Sequence, residues 1–180
     1  ARRFVCGDAA AILSRLADKL AGKLNIDKAF QADLATTKDK AIAALRAGLG
    51  PYDGLLDALQ AAMPADGIWV RDVTVSNSTW GNRALRLNNS RDGVHALGGG
   101  IGQGLQMGIG AAMAAGGRKT VVLAGDGGLM LNVGEMACAV QEKADLLLLV
   151  MNDKGYGVIK NIQDARFGGR KYFADLHTPD

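Results

Sequence analysis

The sequence predicts an α/β fold, a parallel sheet with helices on both of its faces. Three observations predict it. Residues 120–124 and 146–151 are short apolar runs of strand length. Each ends on a polar, glycine-containing turn: Gly125-Asp126-Gly127-Gly128 after the first, Asn152-Asp153-Lys154-Gly155-Tyr156-Gly157 after the second. Between them lies an amphipathic segment with Val133, Met136, Ala137 and Val140 on one face. Strand, turn, helix and strand make a βαβ unit, whose two parallel strands need a crossover helix. Both turns then leave the carboxyl ends of their strands, the edge at which open α/β sheets bind ligands.

The other elements follow in chain order. Phe4-Val5-Cys6 is a short apolar run closed by Gly7-Asp8. Ile12, Leu13, Leu16, Leu20 and Leu24 recur at helical spacing, so a helix is expected from about Ala9, with Asp8 as its N-cap. Residues 25–40 are mixed and polar and Thr36-Thr37 breaks the pattern, which predicts a connection and then a weak helix to Leu49. Gly50-Pro51 is a break. Residues 52–63 carry Leu55, Leu56, Leu59 and Met63 on one helical face. After the turn Pro64-Ala65-Asp66-Gly67, residues 68–73 read as the first strand of the sheet. Thr74, Ser76, Asn77 and Ser78 follow at its carboxyl end, and residues 80–92 are polar and irregular.

Residues 96–104 are glycine-rich, yet no window gives G-x-G-x-x-G and no clear strand precedes them. Nor does Gly117-Arg118-Lys119-Thr120 fit a P-loop, which needs Gly directly before the Lys. Glycines 102, 104, 108 and 110 let the helix that follows lie close to its neighbours, at a cost in helix propensity. After Gly157, residues 158–162 are a short helix candidate and residues 166–180 are loop-like.

Composition bounds the function. The chain has 180 residues, 48% hydrophobic and 22% charged, enough for one domain with a buried core and some extra. A net charge of +3 with scattered Lys and Arg gives no nucleic-acid footprint. Cys6 and Cys138 form neither a metal spacing nor a disulfide framework, and a reducing, cytoplasmic location is the simplest expectation. Cys138 is expected to be a small packed residue, and His95 and His177 are isolated. The run Leu146–Met151 is too short to span a membrane.

The two turns have complementary chemistry. Gly125, Gly127 and Gly128 let backbone N–H groups approach an anion, and a helix beginning near Asn132 offers its positive end. Asp126 would repel a bare phosphate, so a hard cation is expected to bridge the two. Mg²⁺ does this with one or two carboxylates and the phosphate oxygens. Asp153 and the carbonyl of Gly155 are candidate further ligands from the second turn.

Gly125-Asp126-Gly127, a spacer from Gly128 to Met151, and then Asn152-Asp153 resemble the diphosphate-binding motif of the thiamine diphosphate enzymes, which has Asn-Asn where this chain has Asn152-Asp153. Asn132-Val133-Gly134-Glu135-Met136 is similar to the helix start of that family. The likeness is to the acetolactate synthase, benzoylformate decarboxylase and pyruvate decarboxylase group, and it covers residues from about Gly50 onward. It implies that residues 1–49 are the tail of a preceding middle domain with its linker. It implies that residues 50–180 are a diphosphate-binding domain, incomplete at its C-terminal end. It implies thiamine diphosphate and Mg²⁺ as cofactors, with Asp126, Asp153 and Gly155 as metal ligands. Gly125, Asp126, Gly127, Gly128, Asn152, Tyr156 and Gly157 would form the cofactor site, with Thr74, Ser76 and Asn77 as further candidates. Ile101 would wedge between the two rings of the cofactor, and the Gly99 carbonyl would accept from its 4′-amino group. Plain core packing is the simpler account of Ile101.

The implied reaction is decarboxylation of a 2-oxo acid, with the resulting carbanion protonated or joined to a second carbonyl. The family's glutamate lies on a pyrimidine-binding domain outside this chain, so no catalytic residue is assigned here and the chain alone is expected to be inactive. That domain, supplied by another subunit, implies a homodimer or homotetramer. No nucleic acid or membrane partner is expected. Two other readings stay open: a non-catalytic nucleotide- or phosphate-binding α/β module, and a structural α/β domain that binds nothing.

Overall fold

The structure is a computed structural model that describes residues 4–177. The chain divides into two compact units, Ala1–Ala41 and Ile42–Asp180, and the division falls within helix α2, ahead of the Gly50-Pro51 break. In the first unit, α1 spans Ala9–Leu20 and Asp8 caps it, its carboxylate accepting from the Ala11 N–H at 2.8 Å. Residues 4–6 form no strand. Helix α2 spans Phe30–Ala47, where a mostly polar connection is expected from sequence. Its many Ala, Lys and Leu residues outweigh Thr36-Thr37, whose β-branched side chains cost only a fraction of a kcal/mol each.

The second unit holds a four-stranded sheet, in which β1 is Ile68–Arg71, β2 Gly93–His95, β3 Thr120–Gly125 and β4 Leu146–Met151. The order is β2-β1-β3-β4 and every pairing is parallel. Strand β2 lies directly before the glycine-rich stretch, where no clear strand is visible in the sequence. Three residues are too few to show a period, and pairing with β1 through Val70 and Val94 is what makes them a strand.

Alternate residues of β1 and β3 face opposite ways. Trp69, Val121 and Leu123 pack on one side with Leu56 and Leu59 of α3 (Tyr52–Ala62). Trp80 joins them, its ring centroid 6.1 Å from that of Trp69, and Trp69 Nε1 donates to the Gly81 carbonyl at 2.9 Å. Ile68, Val70 and Val122 pack on the other side against α4 (Gly104–Ala114). Helix α4 comes close because Gly108 has no Cβ; one there would collide with Val122. Both faces are thus covered, as the near-continuous apolar strands require.

Three further elements differ from the sequence expectation. Helix α5 starts at Asp126 itself and ends at Leu131, and α6 spans Glu135–Gln141, so the helical start near Asn132 is really the break between two short helices. The expected buried face of α6 is exposed: Val140 is 78% and Met136 47% accessible, and Cys138 is exposed too. Among the described residues that face is largely uncovered. Helix α7 spans Gly157–Phe167, longer than the short helix expected there, and Gly168 closes it in the left-handed conformation. Residues 168–177 are irregular as expected, while residues 178–180 lie outside the described residues.

Candidate functional site

From β1 the chain runs outward to β2, returns through α4 to β3 on the far side of β1, and continues outward to β4. The direction of winding reverses between β1 and β3, which opens a crevice at their carboxyl ends. A cavity of about 200 Å³ lies there. Val73, Thr74 and Val75 line it from the end of β1, and Gly99 and Ile101 from the glycine-rich turn. Gly125, Asp126, Gly127 and Gly128 come from the end of β3, while Asp153, Gly155, Tyr156, Gly157, Val158 and Ile159 come from the end of β4 and the start of α7.

Asp126 is 4% accessible, not a surface residue as its turn position suggests. It occupies the first position of α5, and its Oδ2 accepts from the Gly155 N–H at 3.0 Å, tying the two turns together. The Asp153 carboxyl stands beside it. Burial pushes the Asp153 pKa above the usual carboxylate range, and the neighbouring Asp126 charge pushes it the same way. The charge that partly offsets this comes from Lys160, not from the adjacent Lys154. Lys160 Nζ bonds the Lys154 carbonyl at 3.0 Å and pairs with Asp175 at 2.9 Å.

The glycines have steric reasons to be glycines. A Cβ on Gly127 would sit 2.9 Å from the Tyr156 ring, and one on Gly157 would run into the Asp153 carboxylate. Gly155 is held in an antiparallel bridge with Asp175, and the Ala174 carbonyl accepts from the Tyr156 N–H at 2.8 Å. Residues 174–176 therefore strap the second turn. The glycine-rich turn is fixed differently. Gly98 and Gly99 are left-handed, with φ of 66° and 72°. Gln103 folds back so that its Nε2 donates to the carbonyls of Leu97 and Gly100, both at 3.1 Å.

Three candidate residues stand outside the cavity wall. Asn152 Oδ1 accepts from the Lys154 N–H at 3.0 Å, an Asx turn that shapes the loop and helps Lys154 hold its φ of 55°. Asn77 Oδ1 accepts from the Arg71 guanidinium at 3.0 Å, at the start of a π-helical turn over Asn77–Gly81. Ser76 is buried beside that turn. Ser78 lines a separate shallow cleft against α7. Residues that sequence reasoning did not single out are Val73, Val75, Val158 and Ile159, which give the cavity its apolar wall, and Lys160. Only the carboxyl-end position of the first two hints at this role in the sequence.

The donor set suits a hard cation beside an anion. Two carboxylates press together while first-turn N–H groups of α5, which have no intrahelical acceptor, lie next to them. Fold and cleft together define a doubly wound α/β protein with an acidic, glycine-lined crevice at its switch point. The family within that class is set by sequence. Residues 74–180 match the thiamine pyrophosphate enzyme family, C-terminal TPP binding domain, and the chain belongs to that family.

Among curated relatives, the chain is 35% identical over 111 residues to the acetolactate synthase isozyme 1 large subunit of Escherichia coli K12, covering 61% of this chain and 20% of that protein. It is 37% identical over 112 residues to the probable 2-ketoarginine decarboxylase AruI of Pseudomonas aeruginosa, with 61% of this chain and 20% of that protein covered. The matched part is about a fifth of the length of these relatives. Among solved structures, the thiamine diphosphate-dependent 4-hydroxybenzoylformate decarboxylase of Rhodococcus jostii RHA1 superposes with a TM-score of 0.64. The match has 24% identity and covers 71% of this chain and 24% of that one; it shows the shared fold.

Proposed function

We propose that this chain supplies the Mg²⁺- and diphosphate-binding part of a thiamine diphosphate-dependent enzyme that decarboxylates a 2-oxo acid and then protonates or carboligates the product carbanion. The observation that carries the reading is the meeting of Asp126 and Asp153 against a glycine-lined helix start in one crevice. Two adjacent carboxylates are costly without a cation, and a hard cation held by them would supply the positive charge that lets a phosphate lie beside them. In this reading Asp126, Asp153 and the Gly155 carbonyl hold the metal, and the backbone of Gly125, Gly127 and Gly128 accommodates the diphosphate.

The cofactor, when bound, supplies the electron sink for loss of CO₂. The residues of this chain bind, orient and keep the pocket dry. Ile101 would stand against the rings of the cofactor and the Gly99 carbonyl would accept from its amino group. Val73, Val75, Val158 and Ile159 exclude water from the reacting end, which strengthens every polar contact inside. Proton transfer to the aminopyrimidine falls to a glutamate on a pyrimidine-binding domain from another subunit, in a homodimer or homotetramer. The apolar residues left exposed on α6 and β4, Val140 and Leu147 among them, support docking of further protein there. Among the described residues no helix is long and apolar enough to cross a membrane, and the reading places the enzyme in the cytoplasm.

Calorimetric titration of the chain with thiamine diphosphate, with and without Mg²⁺, tests the reading. Binding that requires Mg²⁺ is expected. Preference for ATP or NAD would favour a nucleotide-binding module instead, an alternative that the absence of G-x-G-x-x-G in residues 96–104 already weakens.

A further inference from the structure

Asp72, the residue after β1, is 1% accessible and has no role in the site described so far. Among the described residues its carboxylate forms no ion pair. It accepts instead from the Gly102 N–H, at 3.1 Å to Oδ1 and 3.0 Å to Oδ2, and Oδ1 also accepts from the Val73 N–H at 2.7 Å. Burying a carboxylate is expensive unless its partners are well placed, so the site that holds it is specific. Two glycines make room for it. A Cβ on Gly104 or on Gly128 would lie 2.7 Å from Asp72 atoms. Gly128 belongs to the diphosphate turn and Gly104 opens α4, so Asp72 fills the space where both elements converge on β1.

The carbonyl of the same residue is held as well. Asn132, just past the end of α5, donates from Nδ2 to the Gly102 carbonyl at 2.8 Å. Gly102 is left-handed, with φ of 85°, and a Cβ there would sit 3.0 Å from Asn132 Nδ2 and 3.2 Å from the Gly128 carbonyl. Its N–H is thus bound to β1 and its C=O to the end of the diphosphate helix. Ile101 is the residue immediately before this doubly held glycine, and it lines the cavity.

We propose that Asp72 and Asn132 are positioning residues that clamp Gly102 by its N–H and its C=O and thereby fix where Ile101 stands against the diphosphate turn. The cofactor part of this statement rests on the proposed function; the clamp itself does not. Asp72 must be an acceptor at both oxygens, because Gly102 and Val73 offer only N–H groups. An asparagine in its place would turn an NH₂ towards a donor. Asn132 must donate, because the Gly102 carbonyl only accepts.

The test compares the 180-residue chain with Asp72→Asn and Asn132→Ala by amide hydrogen exchange, taking the Val70 and Val122 amides as internal references. Exchange at Gly102 is expected to accelerate tenfold or more relative to those references in both variants, since each loses one of the two bonds that hold this residue in place. Affinities for thiamine diphosphate and for inorganic diphosphate are then measured with Mg²⁺ present. About tenfold weaker binding of thiamine diphosphate with little change for diphosphate is expected, because only the two-ring ligand reaches Ile101. Gly102 exchange that merely follows the reference amides overturns the clamp. Equal loss for both ligands, or for neither, overturns its link to Ile101. If the parent chain binds no thiamine diphosphate, the functional reading fails while the exchange comparison still decides the clamp. Should Asp72→Asn not fold, Asn132→Ala decides by the same comparison.

Discussion

Removing the Asp126 side chain should have two opposing effects on stability, and two substitutions separate them. Asp126→Ala leaves the Gly155 N–H without its acceptor in a buried turn, which costs about 1–3 kcal/mol. It also removes the charge that crowds Asp153. Asp153 is largely solvent-screened, so that relief is worth about 1 kcal/mol or less. The net is a loss of about 1–2 kcal/mol. At about 2–4 °C per kcal/mol for a chain of this size, the thermal midpoint should fall by about 2–8 °C. Asp126→Asn keeps an oxygen for the Gly155 N–H and removes only the charge. Its midpoint at neutral pH without metal should equal or exceed that of the parent. Both variants should lose Mg²⁺-dependent binding of thiamine diphosphate. Thermal unfolding followed by calorimetry decides it. An asparagine variant destabilised as far as the alanine variant would refute the charge argument, and retained Mg²⁺ dependence in either would remove Asp126 from the metal site.

Three further outcomes are expected. Asp153 has a raised pKa in the folded chain, so the stability it contributes is present below about pH 4, its unfolded range, and is lost as pH rises through the folded value. Mg²⁺ needs the ionised form, so its affinity should fall from neutral pH towards about pH 4, and Asp153→Asn should flatten that profile; identical profiles would exclude Asp153 as a ligand. Ile101→Ala, in the intact enzyme, should lower turnover with the protein still folded, whereas normal turnover with a loss of a few kcal/mol would make Ile101 a packing residue. On α4, Gly108→Ala should destabilise by about 1–3 kcal/mol because its Cβ meets Val122. Gly110→Ala has open space there and should stabilise by up to about 1 kcal/mol; urea midpoints moving the same way would contradict the packing of α4 on β3.

The parts of the fold legible in the sequence are those written in contiguous residues. Strands β3 and β4 are unbroken apolar runs, and the glycine and acid residues after them mark the carboxyl edge. Strand β2 was not legible, because Gly93–His95 is a strand only by virtue of β1 beside it. The start of α5 at Asp126 was hidden by three glycines in a row of four, which propensity assigns to a turn; burial against β3 and β4 holds them helical. At the site, Asp126, Asp153, Gly155 and Ile101 stand out by residue type and position. Asp72 and Lys160 do not, since each acts through a partner remote in sequence: Gly102 for the first, Asp175 for the second. Nor does the sequence reveal that Asn152 turns its side chain back on its own loop.

The costs in this molecule are gathered at one edge of the sheet. Trp69, Val70, Val122 and Leu123 fill the middle of the two layers and carry no chemistry. At the carboxyl ends sit two adjacent carboxylates, a left-handed Lys154 and a run of glycines whose backbone freedom is lost on folding. A metal that binds the folded chain alone would stabilise it by mass action, and each bound ion would also offset the burial and the Asp126 repulsion that raise the Asp153 pKa. Stability and metal affinity should therefore rise together with pH in the presence of Mg²⁺. Without it, the Asp153 contribution to stability should fall as pH rises. That reversal follows from the burial of Asp153 and its closeness to Asp126, with Lys160 offsetting part of both.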